Sequence, residues 1–168
     1  MLDSTELRKK VKELAVILKD EKSLLCIGKG MGLQTAREAA LKLKEVCYIH
    51  AEAIGSGDLK HGPISLIDPI NKKKFKIILF IFDDNRFDQM CLSLDQVDAR
   101  EAYTIVITDC YERLDHKKID FHIQVQSVNY LGAMLAIIPI QLLCLYLSEM
   151  LNLTPDKPRN LAKTVTVN

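Results

Sequence analysis

The sequence predicts an α/β domain, a three-layer αβα sandwich around a mainly parallel sheet of about five strands. Three observations predict it. Two short runs, Ile77-Ile-Leu-Phe-Ile-Phe82 and Thr104-Ile-Val-Ile107, are apolar at successive positions instead of alternating, as strands covered on both faces are. An apolar segment at 23–27 runs through Gly28-Lys-Gly30-Met-Gly32 into a helical pattern, the opening of a βαβ unit. Helical and strand patterns then alternate along the chain, which calls for a sheet with helices on both sides.

Taken in order, residues 4–19 space Leu7, Val11, Leu14 and Leu18 by four, three and four with Lys and Glu between them, an amphipathic helix expected to be capped by Ser4 or Thr5. Ser23 to Ile27 reads as a strand, 35–46 as a helix, and 47–52 as a second strand leading into Gly55-Ser-Gly57. Strands follow at 77–82, 104–108 and 121–125, with a helix at 87–100 between the first two. A long helix over about 129–151 closes the fold. Its stretch from Leu131 to Leu147 carries no charge and approaches the roughly 18-residue length of a membrane span. Pro139 and Gln141 interrupt it and Glu149 follows, so a buried helix is the better reading.

Bulk properties narrow the function classes. At 168 residues the chain is expected to form one domain with a substantial core. A net charge of +1, with both signs interspersed, gives no footprint for nucleic acid or anionic lipid, and Lys72-Lys73-Lys74 reads as a solvated loop. Five cysteines without C-x-x-C pairing read as reduced core residues, and the first ten residues lack the apolar core of a secretory signal, so a cytoplasmic protein is expected.

Two patches carry the chemistry. Glu38, Lys42 and Glu45 are separated by four and three, so they share one helix face; spacing alone favours an exposed ion-pair ladder, while the Ala- and Leu-rich helix around this narrow polar stripe also lets it line a cleft. His61 stands in Lys60-His61-Gly62-Pro63, where an imidazole can accept and return a proton near neutral pH. Lys163 lies in a tail without helix or strand pattern; as a Schiff-base amine it would have to be neutral, which an ordinary lysine of pKa about 10.4 is not. A base, an imidazole and an amine are what sugar ring opening, imine formation and proton transfer between adjacent carbons require. On such sheets ligands bind at the carboxyl ends of strands, where the glycine turn and the loop after Glu52 fall. His50, Glu52 and His61 have no recognised metal-ligand spacing, and Gly28-x-Gly30-x-Gly32 departs from the dinucleotide fingerprint.

The segments Gly28-Lys-Gly30, Ala36-Arg-Glu38-Ala-Ala-Leu-Lys42-Leu-Lys44-Glu45, Tyr48-Ile-His50-Ala-Glu52, Leu59-Lys60-His61-Gly62-Pro63 and Pro158-Arg159-Asn160-Leu-Ala-Lys163-Thr-Val-Thr-Val resemble the C-terminal sugar isomerase (SIS) domain of the glutamine:fructose-6-phosphate aminotransferase family. The resemblance implies a flavodoxin-like domain at 23–157, a connector helix at 1–22 and a catalytic tail at 158–168. It implies that His61 assists ring opening in the active site of a neighbouring subunit, that Glu45 moves a proton between C1 and C2 and that Lys163 forms an imine at C2. By the same resemblance Lys42 supports proton transfer, the backbone near Ala162 contacts the sugar, and Glu38 lies on the same face. No cofactor and no metal enters this reading.

Departures from the family pattern are Ala39, Asp58 and the turn Met31-Gly-Leu-Gln-Thr35, none of which removes a catalytic group. A glutaminase domain and a first SIS domain with a Ser/Thr-rich phosphate loop have no counterpart here, so the expectation is an incomplete enzyme, acting in a homodimer or higher oligomer. Two alternatives stay open: a non-catalytic SIS module that senses a sugar phosphate or sugar nucleotide, and, more distantly, a dinucleotide-binding dehydrogenase.

Overall fold

A computed structural model describes residues 4–70, 73–128 and 131–159. Five strands, β1 (Ser23–Gly28), β2 (His50–Gly55), β3 (Lys76–Ile81), β4 (Tyr103–Thr108) and β5 (Phe121–Gln124), form one sheet in the order β2-β1-β3-β4-β5. Every adjacent pair is parallel, with Ser23 opposite His50, Cys26 opposite Ile78, Ile78 opposite Ile105 and Ile105 opposite Phe121. Parallel strands need crossovers: α2 (Met31–Cys47) joins β1 to β2 and α3 (Phe87–Asp98) joins β3 to β4, the other two crossovers pass through 3-10 turns, and α1 (Ser4–Leu18) precedes the sheet while α4 (Gly132–Leu135) and α5 (Ile137–Met150) follow it.

The period-two geometry of the strands divides the core in two. Leu24, Cys26, Ile78, Phe80, Ile105, Ile107 and Ile123 face α1, α2 and α5, while Leu25, Ile27, Ile77, Leu79, Ile81 and Val106 face α3 and the loop after β2. The apolar runs are continuous because both faces are covered. Burial of Val11, Leu14, Ala15 and Leu18 docks the amphipathic α1 on the first layer, where it packs along α5.

Several boundaries differ from the sequence expectation, each for a physical reason. Ser4 and Thr5 lie within the first turn of α1 instead of capping it, and the residue before them is outside the described residues. α2 begins at Met31, not Thr35: Gly32 is helical and buried, and a Cβ there would stand 3.1 Å from the Phe80 carbonyl oxygen. Tyr48 ends α2 in the left-handed region (φ 55°), so β2 starts at His50 and runs to Gly55. β5 ends at Gln124, although Val125 still donates its N–H to the Thr108 oxygen at 2.8 Å.

The closing helix is two helices, broken at Ala136. Pro139 has no N–H to offer the Leu135 carbonyl, and its ring crowds that carbonyl, so the hydrogen-bond ladder cannot run through. Gly132–Met150 is long and apolar enough to cross a membrane by length and composition alone, yet half of it is buried inside the domain against α1 and α2. Its outer face remains apolar, with Leu131, Met134, Ile138 and Leu145 exposed. Lys73 is exposed and ion-paired to Glu21 at 3.1 Å; Lys72 lies outside the described residues.

The five cysteines are free and buried. Burial pushes the Cys26 thiol up to about 12, and Cys144 is raised by its hydrogen bond with Cys47 and by burial, which makes these thiols poor nucleophiles.

Candidate active site

α2 leaves the carboxyl edge of the sheet at Met31 and descends to the opposite edge at Cys47. Ala36, Ala39, Ala40 and Leu43 are its buried face, against β1 and β2. The small alanines let the helix lie close to the sheet, so the next positions around the cylinder, Glu38, Lys42 and Glu45, sit at the border of core and solvent. Their side chains are 35%, 32% and 26% exposed. Lys42 Nζ donates to Glu45 Oε2 at 2.6 Å and stands 3.8 Å from Glu38 Oε1. The hydrogen bond to Glu45 outweighs desolvation and raises the Lys42 pKa above the ordinary lysine value. The ladder predicted as one of two readings therefore exists, half-buried, with its lysine held as a cation.

His61 is set by a different element. After β2, Gly55-Ser-Gly57 passes into a 3-10 turn at Asp58–His61, anchored by buried Leu59. Gly62 follows at φ 139°, a conformation that requires glycine, and Pro63 opens a second 3-10 turn at Pro63–Leu66. Ser65 donates to the Gly62 oxygen from both Oγ (2.7 Å) and N–H (2.9 Å), and buried Ile67 closes the segment. The loop backbone is thus pinned on both sides of an exposed imidazole.

Of these two placements only one is at the carboxyl edge of the sheet, where the glycine turn and the loop after Glu52 were expected. His61 and the glycine turn are at that edge, but Glu45 is in the last turn of α2, about 20 Å of helical rise below Met31. One chain does not bring Glu45 and His61 together. His50, at the amino end of β2, bonds through Nδ1 to Ser23 Oγ at 3.1 Å, and among the described residues no group of three metal-ligating side chains converges. Ala162 and Lys163 lie outside the described residues.

The end of the described chain returns to the same edge as Glu45. Arg159 places its guanidinium 5.3 Å from the Tyr48 ring centroid, three residues past Glu45. The sequence offered no sign of this contact, because Tyr48 was expected inside a strand and not as the left-handed cap of α2.

A parallel β2-β1-β3-β4-β5 sheet with a half-buried carboxylate-lysine stripe on its first crossover helix defines a doubly wound α/β domain with acid-base groups at its edges. The SIS domain family model matches residues 17–148, and the chain belongs to the SIS domain family. It is 42% identical over 165 residues to a glutamine-fructose-6-phosphate aminotransferase (isomerizing) of Encephalitozoon cuniculi, covering 96% of this chain and 23% of that protein. A relative of the same description from Rattus norvegicus is 39% identical over 158 residues, covering 94% of this chain and 23% of the relative. The chain thus spans about a quarter of the length of these curated relatives. Among solved structures, the C-terminal domain of glucosamine-fructose-6-phosphate aminotransferase from Francisella tularensis superposes with a TM-score of 0.79 at 28% identity, covering 89% of this chain and 42% of that one.

Proposed function

We propose that this chain is the second SIS domain of a cytoplasmic, glutamine-dependent enzyme that converts fructose 6-phosphate into glucosamine 6-phosphate. The observation that carries this reading is the 42% identity to an isomerizing aminotransferase over 96% of the chain. The Glu38-Lys42-Glu45 stripe supports it, because it presents a carboxylate beside an ammonium at the border of the core.

In this account His61 takes the proton of the ring hydroxyl and returns one to the ring oxygen, opening the sugar. The neutral Lys163 amine adds to the C2 ketone and releases water, giving an imine that glutamine-derived ammonia displaces. Glu45 removes a proton from C1 and delivers it to C2, while the imine nitrogen takes up a proton and the C1 hydroxyl releases one through solvent, which leaves an aldehyde at C1 and an amine at C2. Lys42, already bonded to Glu45, fixes the carboxylate's orientation; Glu38 shares that ammonium, and the backbone at Ala162 lies against the sugar.

The separation of Glu45 from His61 supports a site completed by a second chain, with His61 of one subunit serving Glu45 of another. The exposed Leu131, Met134, Ile138 and Leu145 support a large partner on α4 and α5, which we assign to a first SIS domain that also holds the sugar phosphate; a glutaminase domain supplies ammonia.

The test is glucosamine 6-phosphate formation by the full-length protein alongside Glu45→Gln, His61→Ala and Lys163→Ala. Loss of synthesis in all three is expected. Synthesis unaffected by Glu45→Gln and Lys163→Ala, or binding of a sugar phosphate without turnover, would favour a sensing module instead.

A further inference from the structure

Two 3-10 turns meet end to end after β2, and the peptide unit between Gly62 and Pro63 is their junction. Proline has no N–H, so the Gly62 carbonyl is the only hydrogen-bonding group on that unit. Ser65 donates to it twice, from its N–H at 2.9 Å and from its hydroxyl Oγ at 2.7 Å. The first is the ordinary bond of a 3-10 turn, which any residue but proline makes. The second belongs to the serine side chain. Gly62 stands at φ 139° and ψ −56°, in a region open to glycine, and a Cβ there would meet nothing within 4 Å. Packing around that position therefore does not fix the junction, and the two hydrogen bonds do.

We propose that Ser65 is a positioning residue for His61: its hydroxyl holds the Gly62 carbonyl and thereby sets the direction in which the imidazole leaves the turn. The proposal rests on the ring-opening role of His61 given above. His61 is exposed, so its aim is set by its backbone. Upstream, that backbone is anchored by Leu59, fully buried two residues before, and by the Ser56 N–H, which donates to the Gly28 oxygen at 3.0 Å. Downstream, the first anchor is the pair of bonds from Ser65. An imidazole that serves a sugar held by another chain has to arrive already oriented, and a junction free to rotate at Gly62 spreads it over directions from which the ring hydroxyl is out of reach.

The experiment compares the unaltered full-length protein with Ser65→Ala, which loses the hydroxyl and keeps the N–H bond, with Ser65→Thr, which keeps both, and with His61→Ala. Each is assayed for amination of fructose 6-phosphate and of 5-deoxyfructose 6-phosphate, which has no C5 hydroxyl to close the ring and is already an open-chain ketone. A group that acts in ring opening is bypassed on the second substrate. Ser65→Ala is expected to lower kcat on fructose 6-phosphate by about two- to tenfold, the weight of one such hydrogen bond, with KM unchanged and turnover of the open-chain substrate unaltered. Ser65→Thr restores kcat, and His61→Ala shows the same selectivity with a larger loss.

An unchanged kcat of Ser65→Ala on fructose 6-phosphate overturns the positioning role, as does an equal loss on both substrates, which marks a general effect on the fold. Ser65→Thr as slow as Ser65→Ala overturns the part given to the hydroxyl. Undiminished turnover of fructose 6-phosphate by His61→Ala overturns the ring-opening assignment itself, and the role of Ser65 with it.

Discussion

The Lys42 ammonium and the Glu45 carboxylate lie 2.6 Å apart, with Glu38 3.8 Å from the same ammonium. Like an isolated ladder on a helix surface, the pair contributes only about 0.2–0.5 kcal/mol to stability. Its weight in the proposed reaction is in orientation: the ammonium holds one oxygen of Glu45, and the other is the one we assign to carrying a proton between carbons.

The pair makes a pH dependence with a definite sign. The Lys42 pKa is raised in the folded chain by the hydrogen bond to Glu45. Its stabilisation is therefore fully present below the unfolded lysine value of 10.5 and is lost as pH rises through the higher folded value. Urea midpoints of the unaltered protein and Lys42→Met should differ at pH 9 and converge as pH rises through the raised folded value; a gap that persists unchanged would show that the ion pair is not its source.

Glu45→Gln keeps the shape and a hydrogen-bond acceptor for Lys42 but removes the base. We expect kcat to fall by about 10²–10⁴-fold, the usual weight of a general base, with thermal stability altered by less than about 0.5 kcal/mol. Exchange of the C1 hydrogen of fructose 6-phosphate with deuterated solvent, followed by NMR, isolates this step. Exchange at the unaltered rate would remove Glu45 from the proton path.

Two glycines separate steric from conformational demand. A Cβ on Gly28 would stand 2.3 Å from the Gly32 oxygen and 2.6 Å from the Leu33 nitrogen, all backbone at the start of α2. Gly28→Ala should cost at least about 2–3 kcal/mol, at the upper end for overpacking. Gly57, at φ −69° and ψ −31°, has open space around the same position, so Gly57→Ala should be neutral or stabilise by about 0.5 kcal/mol. Chemical denaturation of both variants checks the contrast.

The sheet was legible because strands covered on both faces advertise themselves: Ile77 to Phe82 and Thr104 to Ile107 have nowhere to go but a parallel interior. The helix face with Glu38, Lys42 and Glu45 was legible from spacing alone. Boundaries were not, where tertiary contacts overrode local habit. Gly32 looks like part of a turn but is helical, since only a residue without a side chain lets α2 pass so close to Phe80. Pro139 was visible, and its cost to the Leu135 carbonyl is what divides the last helix.

The separation of Glu45 from His61 could have been found by arithmetic, because a helix of 17 residues carries its last turn to the far edge of a six-residue strand. The Tyr48–Arg159 contact could not, since it depends on two left-handed helix ends that meet only in the fold.

That separation carries the central claim, that Glu45 and His61 act on one sugar from two chains. The direct measurement is synthesis by a mixture of two inactive full-length variants, Glu45→Gln and His61→Ala, unfolded or dissociated and reassembled together. In a two-chain assembly, random pairing makes half the assemblies mixed, and each of these has one site with both groups intact, so activity should return to about a quarter of the unaltered level. A mixture as inactive as its separate components, with mixed assemblies present, would contradict the claim and place both residues in service of the same chain or of none.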